Sequence, residues 1–228
     1  MAKVSLIIPA YNEEKTIAHA IARTKAALAG LDYEIIIAED GSRDKTAEIV
    51  RGLADPRVLL LHSNGRLGRG KSLSNAIKFA NGEIVAFFDS DLATDMSYLK
   101  RLIKGVEDGA SISTGSRLKA GAQVEDINTR KLARKAYNFL VRLILGSKVL
   151  DHQCGFKAFR KKDVLPLLQK IKAGHWFWDT EILVLAQRQG LKVDEFPVKW
   201  KHGNSSKVNI FADAAGMFLQ IIRMRFSG

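Results

Sequence analysis

The stretch Gly82-Glu83-Ile84-Val85-Ala86-Phe87-Phe88-Asp89-Ser90-Asp91-Leu92-Ala93, GEIVAFFDSDLA, places five consecutive apolar residues directly before two carboxylates one residue apart. An apolar run of that length, rich in branched and aromatic side chains, reads as a strand buried on both faces. In open α/β sheets, ligands bind outside the carboxyl ends of the strands, which is where Asp89-Ser90-Asp91 falls. Two hard oxygen donors on one turn suit Mg²⁺ or Mn²⁺, completed by water and by phosphate oxygens of a substrate. The plainer alternative is that the aspartates cap the helix that follows.

Outward from this strand the pattern repeats. Strands are expected at Val4 to Ile8, Glu34 to Ala38, Val58 to Leu61 and Ser111 to Thr114. Helices are expected at Glu14 to Leu28, after Asp44, at Lys71 to Ala80, and beyond Ala93 with Leu99, Leu102, Ile103 and Val106 buried. Beyond that, a helix is read over Lys131 to Leu145, a strand over Gly155 to Arg160, and a helix over Thr180 to Gln189. A strand over Val193 to Val198 and a helix over Val208 to Arg225 complete the pattern. Apolar strands alternating with amphipathic helices predict an α/β fold, a mostly parallel sheet covered on both faces. No linker-like segment divides the 228 residues, so a single domain is expected.

The chain carries 36 Lys plus Arg against 24 Asp plus Glu, a net charge of +12, which suits phosphorylated small molecules, anionic lipid or nucleic acid. With one cysteine, Cys154, an intrachain disulfide is excluded. His152 and His175 lack the spacing of a zinc site. No apolar run is long enough for a spanning helix, and with a strand-like run from Val4 no signal peptide is expected.

One motif pulls another way. Gly65-Arg66-Leu67-Gly68-Arg69-Gly70-Lys71-Ser72 fits G-x-x-x-x-G-K-[ST], the loop that cradles phosphates in nucleoside triphosphatases. The apolar run before Asp89 even mimics the metal-binding strand of such enzymes. That reading leaves Pro9-Ala10-Tyr11-Asn12 and the whole C-terminal half without a role.

The segments VSLIIPAYNEE (Val4 to Glu14), IIIAEDGSRDKT (Ile35 to Thr46) and GEIVAFFDSDLA resemble the opening of family 2 glycosyltransferases of the GT-A fold. TGSR (Thr114 to Arg117), DHQCGFKAF (Asp151 to Phe159), HWFWDTEIL (His175 to Leu183) and GNSSKV (Gly203 to Val208) are similar to the polyprenyl-phosphate sugar transferases among them. The resemblance implies a Rossmann-like GT-A domain. Residues 1–117 would bind a nucleotide sugar and residues 118–228 the acceptor. Pro9, Ala10, Tyr11, Glu13, Glu39 and Asp40 would line the nucleoside pocket, and Lys71 and Ser90 would lie near the donor phosphates. Asp89 and Asp91 would hold the metal and the diphosphate. Gln153, Trp178 and Asp179 would face the donor sugar. Arg117, with Arg130 and Arg134, would meet the acceptor phosphate, as would Lys207 on a closing loop. Two departures stand out: Glu39 replaces the usual Asp, and Ala93 stands where mannosyl-transferring relatives often carry Gln. Both Ala93 and the QCGFK wording favour UDP-glucose over GDP-mannose.

The expected function is therefore inverting, metal-assisted transfer of a hexose to a polyprenyl phosphate. A phosphate acceptor is already anionic and should need no general base. It needs cations, and arginine binds phosphate with paired hydrogen bonds. A hydroxyl acceptor would instead need a base, for which Asp179 is the candidate. The helix from Lys131 to Leu145 puts Leu132, Ala136, Phe139, Leu140, Leu143 and Ile144 on one face, with Arg130, Lys131, Arg134, Lys135 and Arg142 around them. That suits a helix lying on an anionic membrane, as does the C-terminal helix with Phe211, Phe218, Ile221, Ile222 and Met224. Core packing is the alternative for both, as it is for Trp176, Phe177 and Trp178 against a role in anchoring or sugar stacking. The expected location is peripheral, on the cytoplasmic face of a membrane, with a membrane-protein partner and no nucleic acid. A non-catalytic basic binding protein would show salt-sensitive binding without turnover.

Overall fold

A computed structural model describes residues 3–201 and 210–226, with the side chains of residues 210–215 excepted. Lys207, and Ser206 beside it, lie outside the described residues. The strands are β1 (Val4–Ala10), β2 (Tyr33–Glu39), β3 (Val58–His62), β4 (Ile84–Phe88), β5 (Ile112–Ser116), β6 (Gln123–Glu125), β7 (Phe156–Arg160), β8 (Val193–Pro197) and β9 (Lys199–Lys201). The helices are α1 (Ile17–Ala27), α2 (Thr46–Gly52), α3 (Arg69–Phe79), α4 (Leu99–Glu107), α5 (Asn128–Leu145), α6 (Lys161–Leu168), α7 (Trp178–Arg188) and α8 (Ile210–Phe226).

Among the described residues, seven strands form one sheet in the order β3-β2-β1-β4-β7-β5-β8, and β6 and β9 form a small parallel pair. All neighbours in the large sheet are parallel except β7, which runs antiparallel to both β4 and β5. The proposed halves, 1–117 and 118–228, are therefore not separate bodies: β7, from the second half, lies between two strands of the first. The reversal of β7 also positions the site. Its N-terminal entry, Asp151 to Gly155, arrives at the same sheet edge as the carboxyl ends of β1, β2, β4 and β5.

Two apolar layers flank the sheet. One contains Ile7, Ile36, Phe87, Phe159, Trp178, Ile182 and Leu183, the other Leu6, Ile8, Ile35, Phe88, Leu102 and Phe156. Consecutive residues of β4, Phe87 and Phe88, thus point into opposite layers, as a strand buried on both faces requires. The short α6 carries Pro166 within its span, which hides it from pattern reading. The three-residue β6 and β9 are too short for a periodic signal.

Trp178 is fully buried, with its indole N–H donating to Ser74 Oγ at 2.7 Å and its ring edge-on to Phe87 and Phe159. It belongs to the core rather than to the wall of a sugar site, and Phe177 is buried beside it. Trp178→Ala should cost about 3–5 kcal/mol of stability, measurable as a lower urea midpoint.

Candidate active site

The site lies where the strand-end loops meet. The β1 and β2 loops are bound together: Asn12 N–H donates to Ser42 Oγ, Arg43 N–H to Asn12 Oδ1, Glu13 N–H to Thr46 Oγ1 and Glu14 N–H to Asp44 Oδ2. Asp44 also accepts from Thr46 N–H at the start of α2, one residue ahead of the N-cap position, Lys45. Tyr11 is half-buried, and the Arg66 guanidinium stands over its ring at 4.1 Å from the centroid. Pro9 is half-buried and Ala10 buried beside Asp40, whose N–H donates to Ala10 O at 2.9 Å.

Glu39 departs from the expected role. Its buried carboxylate accepts from Ser42 N–H at 2.5 Å and meets His62 Nδ1 at 2.5 Å. Burial raises its pKa, but these partners outweigh burial and hold it below the usual range. The extra methylene that distinguishes Glu from Asp lets this carboxylate turn back towards β3 rather than face a nucleoside. Asp40 is buried too, and accepts from the N–H groups of Leu67 and Gly68 at 2.7 and 3.0 Å.

Those contacts settle the phosphate-loop motif. A phosphate cradle aims free backbone N–H groups at an anion. Here the N–H groups of Leu67 and Gly68 go to Asp40, and those of Gly70 and Lys71 to Gly174 O. The glycines have a packing reason instead. Gly68 has φ +99°, and a Cβ on Gly70 would lie 2.5 Å from Trp178 Cβ. The turn fits α3 against residues 174–178. Lys71 is exposed on the helix, two residues past the one that enters the site.

That residue is Arg69. Its Nε and Nη2 donate to Asp89 Oδ1 at 3.0 and 2.7 Å, and its Nη1 donates to Asp179 Oδ2 at 2.6 Å. The guanidinium also faces Phe87 and Trp176, at 5.3 and 5.4 Å from the ring centroids. Burial opposes its charge, but the two carboxylates outweigh burial and raise its pKa. Asp179, in turn, accepts from the fully buried Lys157 at 2.8 Å. Burial raises the pKa of Asp179, whereas Arg69 and Lys157 together hold it low. A buried carboxylate bound by two cations is poorly placed to serve as a general base, or to meet a sugar directly.

The side chain of Asp89 is 41% exposed, and its backbone N–H donates to Gly155 O at 3.2 Å. A Cβ on Gly155 would overlap the Asp89 carboxylate, so glycine at this point of β7's entry lets the carboxylate lie where it does. Asp91 is exposed, with Oδ1 accepting from Ala93 N–H at 3.0 Å, and Ser90 between them is buried. Among the described residues no three His, Cys, Asp or Glu side chains gather into a metal cage. The donor set is two carboxylates one residue apart, which fits a divalent ion that takes its remaining ligands from water and a phosphorylated substrate.

Arg117 follows β5. Its N–H and Nε donate to Asp151 Oδ2 and its Nη2 to Asp151 Oδ1 at 2.9 Å. Burial raises the pKa of Asp151, but Arg117 outweighs it and holds the carboxyl well below its usual range. Arg134, on α5, pairs with Asp126. Both guanidiniums face the Trp200 ring, at 5.5 and 5.3 Å from its centroid. Arg130 is half-buried one turn earlier on α5, and Gln153 donates to Met217 Sδ at 3.0 Å. Cys154 is buried, and burial pushes its thiol up to about 12.

Arg69, Asp151 and Lys157 escape sequence reasoning. The available signal for Arg69 is helical phase: residues 69 and 71 point to nearly opposite sides of α3, so only one basic residue of the motif can face the sheet edge.

The loop ahead of β7 is anchored by His152, whose Nδ1 lies 2.7 Å from Asn138 Oδ1 and whose Nε2 lies 2.7 Å from Ser147 Oγ. Burial pushes its pKa down to about 3. The unfolded chain then takes up a proton below about pH 6.5 that the folded chain refuses, so stability falls as pH drops from there. Carboxylates held low, such as Asp151, lose their contribution only at more acid pH. The urea midpoint should therefore fall between about pH 6.5 and 4.5, and His152→Gln should flatten that fall. Separately, Gly155→Ala should displace Asp89 and remove divalent-ion binding, measurable by titration with Mn²⁺.

Residues 5–166 match the glycosyl transferase family 2 model. Glycosyltransferase AglD of Haloferax volcanii is 43% identical over 228 residues, an alignment covering 97% of this chain and 36% of AglD. A dolichyl-phosphate beta-glucosyltransferase of Trichomonas vaginalis is 32% identical, covering 91% of this chain and 68% of the relative. Among solved structures, glucosyl-3-phosphoglycerate synthase from Mycobacterium tuberculosis, in complex with Mn²⁺, uridine diphosphate and glucosyl-3-phosphoglycerate, superposes with a TM-score of 0.72 at 21% identity. That match covers 97% of this chain and 77% of the synthase, and shows a shared fold. The mostly parallel sheet expected from the strand pattern and the GT-A-like architecture implied by the family resemblance are both observed, and the chain belongs to glycosyl transferase family 2.

Proposed function

We propose that this chain transfers glucose from UDP-glucose to a polyprenyl phosphate, with inversion at the anomeric carbon. The observation that carries the reading is the meeting, at one sheet edge, of the Asp89–Arg69 pair with the Arg117–Arg134 pair. Asp89 follows β4 and Arg117 follows β5, with only β7 between those strands, so the two sets lie near each other along that edge. One set suits a donor diphosphate and the other an anionic acceptor. Support for the donor and acceptor classes comes from relatives named dolichyl-phosphate beta-glucosyltransferases and from a structural neighbour holding Mn²⁺ and uridine diphosphate.

Asp89 and Asp91 would hold the divalent ion, which when bound offsets the negative charge that builds on the departing diphosphate. Arg69 adds a fixed positive charge beside them. On the acceptor side, two nitrogens of Arg117 go to Asp151, which orients the guanidinium and leaves Nη1 for a ligand. Burial and the nearby charge of Arg117 push the pKa of Arg134 down, a penalty that an anion between them would relieve. As the bond from the anomeric carbon to the diphosphate oxygen breaks, the acceptor phosphate oxygen forms the new bond from the opposite face. No proton need leave that oxygen, which matches an Asp179 that is buried and ion-paired. Tyr11 would meet the nucleobase, with Arg66 moving off its ring.

No helix among the described residues is long and apolar enough to cross a membrane. Membrane contact would instead come from α5, where Leu132, Phe139 and Leu143 are 70%, 61% and 67% exposed along one stripe, with Lys131, Lys135 and Arg142 beside it. Leu140 and Ile144 turn the other way and pack on the core, so the face read from sequence divides in two. On α8, Ile221 and Met224 are core, while Phe218 and Leu219 are exposed. A stripe of this kind, flanked by cations along one side, suits an anionic bilayer, where the acceptor must be met.

Two measurements test these readings. Asp91→Asn should reduce glucosyl transfer from UDP-glucose to a polyprenyl phosphate by at least about 100-fold with the melting temperature unchanged; near-normal turnover in Mn²⁺ would overturn the assignment. Leu132→Ser with Phe139→Ser should abolish co-sedimentation with phosphatidylglycerol vesicles while leaving the binding of UDP intact.

A further inference from the structure

Two buried ionic residues near the site play no direct part in this scheme. Lys157 has no exposed surface, and its ammonium donates to His152 O at 3.1 Å, Cys154 O at 2.6 Å and Asp179 Oδ1 at 2.8 Å. Those are all three of its donors, so it is a fixed charge that cannot reach a substrate. Asp179 divides its two oxygens between Lys157 and Arg69. Arg69 then carries the chain to Asp89, the end that opens to solvent. The four side chains alternate in sign: Lys157, Asp179, Arg69, Asp89.

This alternation bears on a difficulty in the site. A guanidinium 2.7 Å from a carboxylate proposed to bind a divalent cation repels that cation. Something must offset Arg69 without removing it. We infer that Asp179 is the positioning residue that does so. Its charge holds Arg69 in place and offsets it, so that a divalent cation can bind at Asp89 and Asp91 beside a retained guanidinium. Lys157 sets how much of the Asp179 charge is felt there. The geometry suits this division. Asp179 takes Nη1, leaving Nε and Nη2 on the side of Asp89, while the Phe87 and Trp176 rings confine the guanidinium plane. Phe87 also faces Lys157 Nζ, at 5.7 Å from its centroid, so one ring supports both cations.

The inference rests on the reading of Asp89 and Asp91 as metal ligands, and it makes a signed prediction that simple loss of packing does not. Removing the negative charge should weaken metal binding, and removing the distal positive charge should strengthen it. The experiment titrates Mn²⁺ into the full chain in the presence of saturating UDP, with free Mn²⁺ followed by electron paramagnetic resonance. Asp179→Asn should raise the Mn²⁺ dissociation constant about tenfold or more, and Lys157→Met should lower it about threefold. The double variant should return towards the wild type. Disruption of the fold would move both single variants the same way. If Asp179→Asn does not fold, Lys157→Met alone decides: tighter Mn²⁺ binding supports the inference, and unchanged or weaker binding overturns it. A wild-type chain that binds no Mn²⁺ overturns the metal reading, and this inference with it. Wild-type binding that is lost in Asp91→Asn, yet shifts in the same direction or not at all in the two charge variants, overturns the inference alone.

Discussion

The guanidinium of Arg69, shared between Asp89 and Asp179, is the contact on which the arrangement of the site depends. It links α3 and the exit of β4, the strand that follows it, to the first turn of α7, 110 residues from Arg69. A buried ion pair is not in itself a source of stability, because desolvation offsets much of the attraction. Its value lies in geometry. Once Arg69 has two carboxylate partners and two aromatic walls, few other placements of the β4 exit or the α7 start satisfy its donors. Leaving any one of these charges unpaired would be costly, so the elements that bring them are fixed together.

The sheet explains why those elements can meet at all. In a purely parallel sheet every strand delivers its carboxyl end to one edge and its amino end to the other. β7 breaks that rule by running antiparallel between β4 and β5, so an amino-terminal segment, Asp151 to Gly155, reaches the edge where the others end. From there it provides the glycine that makes room for Asp89, the aspartate that orients Arg117 and, two residues past that glycine, the lysine beneath Asp179.

Much of this is legible in the sequence, and the limits have physical causes. The first four strands are readable because each is a short, largely apolar run closed by polar residues, and Ile84 to Phe88 matches residue for residue. Asp89 and Asp91 are visible because they close that strand. What sequence does not show is direction and partner. Nothing in GFKAF says that β7 runs against its neighbours, so the burial of Lys157 beneath the site is hidden. Trp178 and Asp179 are adjacent, yet α7 sends one into the apolar layer and the other to Arg69. The lysine of GRGKS draws the eye because it completes a familiar pattern, while the arginine two residues earlier holds the helical phase that faces the edge. Glu39 shows the same limit on a smaller scale: a longer carboxylate suggests an altered base contact, but the extra methylene lets it find His62 on the next strand.

Charge suits this edge to the two anions of the proposed reaction. Without ligands, Lys157 and Arg69 balance Asp179 and Asp89, and Arg117 is matched by Asp151 and Arg134 by Asp126. A donor diphosphate and an acceptor phosphate repel each other, and water would screen them if it could enter. In the proposed reaction the protein would meet that repulsion with cations whose positions are already set, so little reorganisation would be required when the anions arrive. Arg117 and Arg134 each keep a carboxylate partner on one side and could offer their remaining donors on the other. The exposed stripe of α5 lies on the same helix that carries Arg134. Arg134 projects from nearly the opposite side of α5 to Leu132, two residues before it, so a lipid lying along that stripe would pass its phosphate round the helix to reach the arginines.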